Sequence, residues 1–331
     1  MTRISFTDKV KKAVDDFDMF GHGCAVAVAL SGGADSVSLL CALKSLENKL
    51  GITVSACHLN HSMRGEESDA DMRFCEKLCG RLGVPLTAEK TDVVSFRQKH
   101  ESSEQCARRI RYDFFERVLT SLGDGARLAT AHNSNDCAET VMLNLMRGTG
   151  LKGLCGIPPV RGRIVRPLIY CTRAEVEVYL SEIGEGYVTD RTNLSDDYTR
   201  NKIRHLILPE MLKINSALFE GMTRMTYSLR EDSDYLEGEA MKALSAAEKG
   251  SGWDAAALSA LPAPIRSRAV RRILSDGGIE PSALRINTAS EMLTQRSGRY
   301  NPCKDRFFTI RKGVCFVEVS EQHIRRLTEG K

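Results

Sequence analysis

No stretch of this sequence strings together the ~20 apolar residues a bilayer crossing requires, so a membrane-spanning helix is not expected. The opening MTRISFTDKVKKAV carries no apolar core of a signal peptide, and a cytoplasmic protein is the expectation. Cys-x-x-Cys is also absent. The eleven cysteines are scattered, and the nearest pair, Cys75 and Cys79, has the i,i+4 spacing of a helix face. Reduced, mostly buried thiols follow, rather than a disulfide framework or a paired-cysteine metal site. Tryptophan is nearly missing: Trp253 and the scattered phenylalanines read as core, not as base-stacking platforms. Charge is almost balanced, with a net of +4, and no repeat or low-complexity tract occurs.

What is present suits two domains. At 331 residues and 42% apolar composition the chain can bury a sizeable core. The near-zero charge hides an asymmetry: residues 260–331 carry 14 Lys/Arg against 7 Asp/Glu, so the first 259 sum to −3. A basic C-terminal part is what a polyanion-facing surface needs. Up to about residue 170, apolar runs at 24–30, 52–59, 85–91 and 126–132 alternate with helical stretches at 36–50, 67–83, 103–122 and 136–147. That alternation predicts an α/β fold with a doubly wound, Rossmann-like parallel sheet, ligands binding beyond the carboxyl ends of the strands. From residue 173 the pattern turns helical, with a helical linker over 215–247. Runs at 307–312 and 314–320 around Gly313 predict a hairpin in a small α+β C-terminal domain. The expected division is 1–215 and 216–331.

The first strand breaks abruptly, in VAVALSGGADSVSLL (26–40), into a polar turn that restarts at once as a helix. A strand ending in S-G-G-x-D-S is an anion cradle. Gly32 and Gly33 let the backbone approach a phosphate, and the helix that follows supplies free N–H groups that attract negative charge. Ser31 and Ser36 add hydroxyl donors, and Asp35 is placed to hold Mg²⁺ or orient a nucleotide. The lysine of G-x-x-x-x-G-K-[ST] is missing, so this is not a Walker A loop, and it is not G-x-G-x-x-G. The turn resembles the PP-loop of ATP pyrophosphatases, which cleave ATP between the α- and β-phosphates.

Further motifs follow: HLNHSMRGEESDAD (58–71), CARRIRYDFF (106–115), ATAHNSNDCAETVMLNLMRGTG (129–150), GIPPVRGRIVRPLI (156–169) and VTDRTNLSDDYTRNKIRHLILPEM (188–211). In this order and spacing, over residues 20–211, they closely resemble the tRNA(Ile)-lysidine synthetase family. The match continues more weakly to the C-terminus. The resemblance implies ligation of free L-lysine to the wobble cytidine of a CAU-anticodon isoleucine tRNA. ATP first adenylates the C2 oxygen with release of pyrophosphate, and the lysine amine then displaces AMP. A homodimer is implied on the same ground alone.

That chemistry needs phosphate donors, a metal and a proton acceptor. Ser31, Gly32, Gly33, Ala34 and Ser36 supply the ATP-binding donors, with His58, Asn60, Arg108, Arg111 and Arg204 as further ATP contacts. Asp35 and Asp136 are the candidates for Mg²⁺, which takes one or two carboxylates plus phosphate oxygens. An amine of pKa ~10.4 must lose a proton to attack, and Asp136 or His132 can take it. The sequence leaves that choice open. The family pattern usually has a second histidine where Asn133 stands and an acid at Asn135; Asp136 and Glu139 match it. His58 and His61 do not make a zinc pair, since no further ligand completes one. Arg64, Arg200, Arg268, Arg271, Arg272, Arg306 and Arg311 are expected on tRNA phosphates, with Lys312 beside them. Asp190, Asn193 and Asn201 also match the family. A PP-loop tRNA thiolase would need a sulfur-carrying cysteine near the site; Cys106, Cys137 and Cys155 lie near motifs without paired spacing. An amidotransferase needs an ammonia-generating domain for which there is no room. A non-catalytic RNA-binding scaffold sits poorly with an intact S-G-G-x-D-S.

Overall fold

The computed structural model describes residues 4–62, 65–93, 95–98, 101–188 and 198–320; Arg64, Asp190 and Asn193 lie outside them. The chain divides into two compact units, Met1–Tyr227 and Ser228–Lys331. The first opens with α1 (Phe6–Asp16), β1 (Ala25–Ala29), α2 (Ala34–Leu50), β2 (Thr53–Asn60), α3 (Glu66–Leu82) and β3 (Leu86–Lys90). It continues through α4 (Ser103–Leu122), β4 (Arg127–Ala129), α5 (Ser134–Met146), the short α6 (Leu151–Leu154), and the hairpin β5 (Val160–Arg161) and β6 (Ile164–Val165). Then come α7 (Arg173–Glu182), α8 (Tyr198–Lys202), a π-helical turn (Ile203–Ile207), α9 (Leu208–Ile214) and α10 (Leu218–Ala246), which runs through the division.

The strand order is β3-β2-β1-β4-β6-β5, parallel except for β5, which pairs antiparallel with β6. Side-chain alternation along β1 sorts the two faces. Val26 and Val28 join the core formed with α1, α2, α3 and α7, while Ala27 faces Phe114, Val118 and Leu119 of α4. Both faces are therefore dry, as a parallel sheet requires. The doubly wound reading holds. The β5–β6 hairpin was not foreseen, because two-residue strands beside Pro158, Pro159 and Gly162 carry no periodic signal.

From β1 the chain winds outward through β2 and β3, and it returns to place β4 on the other side of β1. The strand order thus reverses at β1. Loops leaving β1 and β4 diverge there and open a crevice at their carboxyl ends.

The second unit carries β7 (Glu248–Lys249), β8 (Gly252–Asp254), α11 (Ala255–Ser259), α12 (Ala263–Asp276), α13 (Ala283–Met292), β9 (Gly298–Cys303), β10 (Arg306–Arg311) and β11 (Val314–Val319). Its antiparallel sheet runs β7-β8-β11-β10-β9. Phe308 and Ile310 pack with Val270, Ile273 and Leu274 of α12. The expected hairpin is β10–β11. Its turn residues Lys312 and Gly313 both have positive φ, 52° and 76°, the type I′ geometry that suits strand twist. All eleven cysteines are free thiols, and all but Cys303 are buried. Among the described residues no helix is long and apolar enough to cross a membrane.

Candidate active site

The polar turn after β1 sits at the strand-order reversal. Gly32 takes φ +88°, a conformation L side chains rarely adopt, and Gly33 caps α2 without any side-chain bond. The first-turn N–H groups of α2 are therefore left without a side-chain cap, the condition that makes a helix start attract anions. Ser36 stitches the turn. Its Oγ donates to the Gly33 carbonyl at 2.9 Å, accepts from the Ser31 N–H at 3.1 Å and lies 3.1 Å from Ser31 Oγ.

Beyond the turn lies a cavity of about 900 Å³, within the range of small-molecule sites. Ser31, Gly33, Asp35 and Ser36 line it with His58, Asn60 and His61 from the end of β2. His132 and Asp136 enter from the β4–α5 side, and Arg108, Arg111, Arg161 and Arg166 make the wall basic. Most of the expected cradle and nucleotide residues thus meet in one place. Arg161 and Arg166 were not singled out in the sequence, although both lie in its GIPPVRGRIVRPLI motif.

The two carboxylates are held differently. Asp35 Oδ1 accepts from Asn133 Nδ2 at 2.9 Å, and its Oδ2 pairs with Arg173 at the start of α7. Arg173 was also missed in the sequence. Its helix, however, starts with a legible Thr-x-x-Glu capping box, Thr172 and Glu175. Asp136 Oδ2 accepts the Asn133 N–H at 3.0 Å in the α5 capping box. Burial, and then the neighbouring Asp35 charge, push the Asp136 carboxyl above its ordinary value.

His58 donates from Nδ1 to the Leu30 carbonyl at 2.8 Å, and its buried Nε2 meets no hydrogen-bond partner among the described residues. Loss of surrounding water, together with Arg166, Arg200 and Arg108, pushes His132 down to about 4. His61 is also pushed down to about 4, by burial first and then by Arg111, whose Nε and Nη2 lie 3.4 Å from its Nε2. An unfolded histidine protonates near 6.5, so the stability His61 contributes above that pH is lost as pH falls toward 4. In an NMR titration His61 should stay neutral at pH 6, and His61→Gln should flatten the stability loss between pH 6.5 and 4. Titration near 6.5 would mean that the Arg111 contact does not hold in solution.

Several of the arginines expected on phosphate pair with carboxylates of the protein. Arg204 forks onto Glu139 at 2.6 and 2.9 Å, and Arg200 Nε is 3.2 Å from the same carboxylate. Asn60 is committed to Asp69 and to the Ser62 N–H. In the second unit, Arg268 and Arg271 converge on Glu237, and Arg306 donates to the Gly277 carbonyl at 2.6 Å. Arg272, paired with Asp276, and Arg311 remain largely exposed. The three arginines of α12 are thus split between two carboxylates.

A doubly wound sheet with an anion cradle at its reversal point defines a nucleotide-binding α/β protein. More narrowly, the chain belongs to the PP-loop family: the family model ATP_bind_3, the PP-loop domain, matches residues 3–211. Members of this family bind ATP. Curated relatives named tRNA(Ile)-lysidine synthase include that of Caldanaerobacter subterraneus, 38% identical over 82% of this chain and 59% of the relative. The Bacteroides thetaiotaomicron protein is 43% identical over 67% of this chain and 51% of itself. For the Geobacillus kaustophilus protein the values are 32%, 88% and 65%. The chain thus spans about half to two thirds of the length of these relatives. The fold also resembles the U34-tRNA thiolase NcsA of Methanococcus maripaludis, with TM-score 0.55, 20% identity, and coverage of 68% of this chain and 78% of that one.

Proposed function

We propose that this protein ligates L-lysine to the wobble cytidine of CAU-anticodon isoleucine tRNA, consuming ATP and releasing AMP and pyrophosphate. The single observation that carries the reading is the meeting of Asp35 and Asp136 beside the Ser31–Ser36 cradle, in a chain whose relatives bear that name. The cradle N–H groups and hydroxyls hold the triphosphate, and the arginine wall offsets its charge. Asp35 and Asp136 fit Mg²⁺: the Asp35 charge raises the cost of charging Asp136, and the carboxylates' spare lone pairs leave room for phosphate oxygens. When bound, that ion neutralises charge developing on the leaving pyrophosphate.

Asp136 takes the proton from the lysine amine. An ammonium is drawn to the paired carboxylates and repelled by the cationic surroundings of His132. Cys57 lines the cavity, yet burial pushes its thiol up to about 12, which disfavours a thiolate-based sulfur transfer. Among the described arginines expected on tRNA phosphates, Arg272 and Arg311 are the most exposed, in a cytoplasmic protein.

The test is incubation with ATP, labelled lysine and each CAU-anticodon tRNA, followed by nucleoside analysis. Lysidine and AMP are expected in equal amounts, on the isoleucine tRNA only. ADP as product, or lysine incorporation without tRNA, overturns the reading.

A further inference from the structure

Asn133 makes an unusual set of bonds for a helix cap. Its Oδ1 accepts the N–H groups of Asn135 at 3.0 Å and Asp136 at 3.1 Å. Its own N–H donates to Asp136 Oδ2, and its Nδ2 donates to Asp35 Oδ1 at 2.9 Å. The residue is 3% exposed. Its amide orientation is not arbitrary, because two backbone donors point at one end and a carboxylate accepts from the other.

We infer that Asn133 is a positioning residue that sets the separation of Asp35 and Asp136 and so shapes the cleft a divalent cation enters with the nucleotide. The inference rests on the proposed reading of that carboxylate pair. Asp35 belongs to α2 and Asp136 to α5, and their charges repel. A cap that only accepted hydrogen bonds would order α5 and leave Asp35 without a direct bond to it. The amide does both, since it carries an acceptor and a donor on one rigid group. Asn135 completes the frame. Its Oδ1 accepts the Arg173 N–H at 3.0 Å, and Arg173 holds the other oxygen of Asp35.

This separates two roles by substitution. Serine at position 133 still caps α5, but its hydroxyl is too short to reach Asp35 as well. Neutral histidine, like asparagine, carries one acceptor and one donor, so it can cap and bridge. The probe is Mn²⁺ with α,β-methylene-ATP, which presents the triphosphate without turnover, and binding is read by electron paramagnetic resonance. Asn133→Ser should weaken Mn²⁺ binding roughly 10- to 100-fold, the usual effect of losing a group that orients a metal ligand. Its melting temperature should match the wild type, and in the lysine assay kcat should fall while the tRNA KM holds. Asn133→His should restore most of the binding. Wild-type Mn²⁺ affinity in Asn133→Ser overturns the inference. So does a Ser variant that loses binding and melting temperature together with no rescue by His, since Asn133 is then a cap only. Absence of Mn²⁺ binding by the wild type removes the carboxylate-pair reading and this inference with it, which distinguishes the two failures.

Discussion

Asp35→Asn is expected to slow ATP-dependent pyrophosphate release by roughly 100- to 1,000-fold while the protein stays folded. Asn has the shape of Asp, so the first turn of α2 keeps its packing, but the charge is gone. Arg173 loses its partner at Asp35, yet it is 40% exposed and keeps Glu177 at 2.9 Å, so the stability cost is small. On the proposed reading the chemical cost is large, because the change removes one of the two carboxylates that hold the metal and face the leaving pyrophosphate. Loss of one preorganised electrostatic contact of this kind typically costs on the order of 10²- to 10³-fold in kcat. Ser36→Ala should act in the same direction through geometry, since Ser36 Oγ ties Ser31 to Gly33. The measurement is pyrophosphate release with ATP and isoleucine tRNA, alongside circular dichroism. Near-normal release in both variants would reduce residues 31–36 to an ordinary turn.

The largest stability effect is expected from Glu139→Ala. Glu139 is 1% exposed on α5, and it receives Arg204 from the π-helical turn and Arg200 from α8. Around it, Ala138 and Leu143 of α5 pack on Ile203 and Leu208. Without the carboxylate, Arg204 is left with the Asp136 carboxylate at 3.8 Å and Arg200 with the Thr140 hydroxyl at 3.2 Å, weaker partners than a bidentate buried acid. Breaking a buried pair costs ~3–5 kcal/mol, but these arginines are 37% and 41% exposed, so solvent offsets part of it. A loss of about 2–3 kcal/mol in urea unfolding is the expected result. Proteolytic cutting near Arg200 and Arg204 should also speed up, because their segment is anchored to α5 through that carboxylate. A change below ~0.5 kcal/mol, the scale of a surface pair, would show that the contact is idle.

The alternation of apolar runs and helices revealed the parallel sheet because period and burial are local properties of the chain. Ser31-Gly-Gly-x-Asp-Ser was legible for the same reason: a strand, a positive-φ glycine and a helix start within six residues need no distant partner. The β10–β11 hairpin likewise followed from a local turn. The arginines were a different matter. Their number and spacing were visible, and Arg268, Arg271, Arg200 and Arg204 read as contacts for phosphate. Their carboxylate partners, Glu237 and Glu139, were not visible.

Composition and pattern by themselves determined the fold class and the cradle, since each rests on neighbours a few residues apart, and the family resemblance, since motif order is a property of the chain alone. Only the tertiary structure decided which charges are paired. Arg173 meets Asp35 across 138 positions, and Asn133 meets it across 98. Coulomb attraction and hydrogen bonding act over a few ångströms in space, and separation along the chain says nothing about that distance until the strands have taken their order.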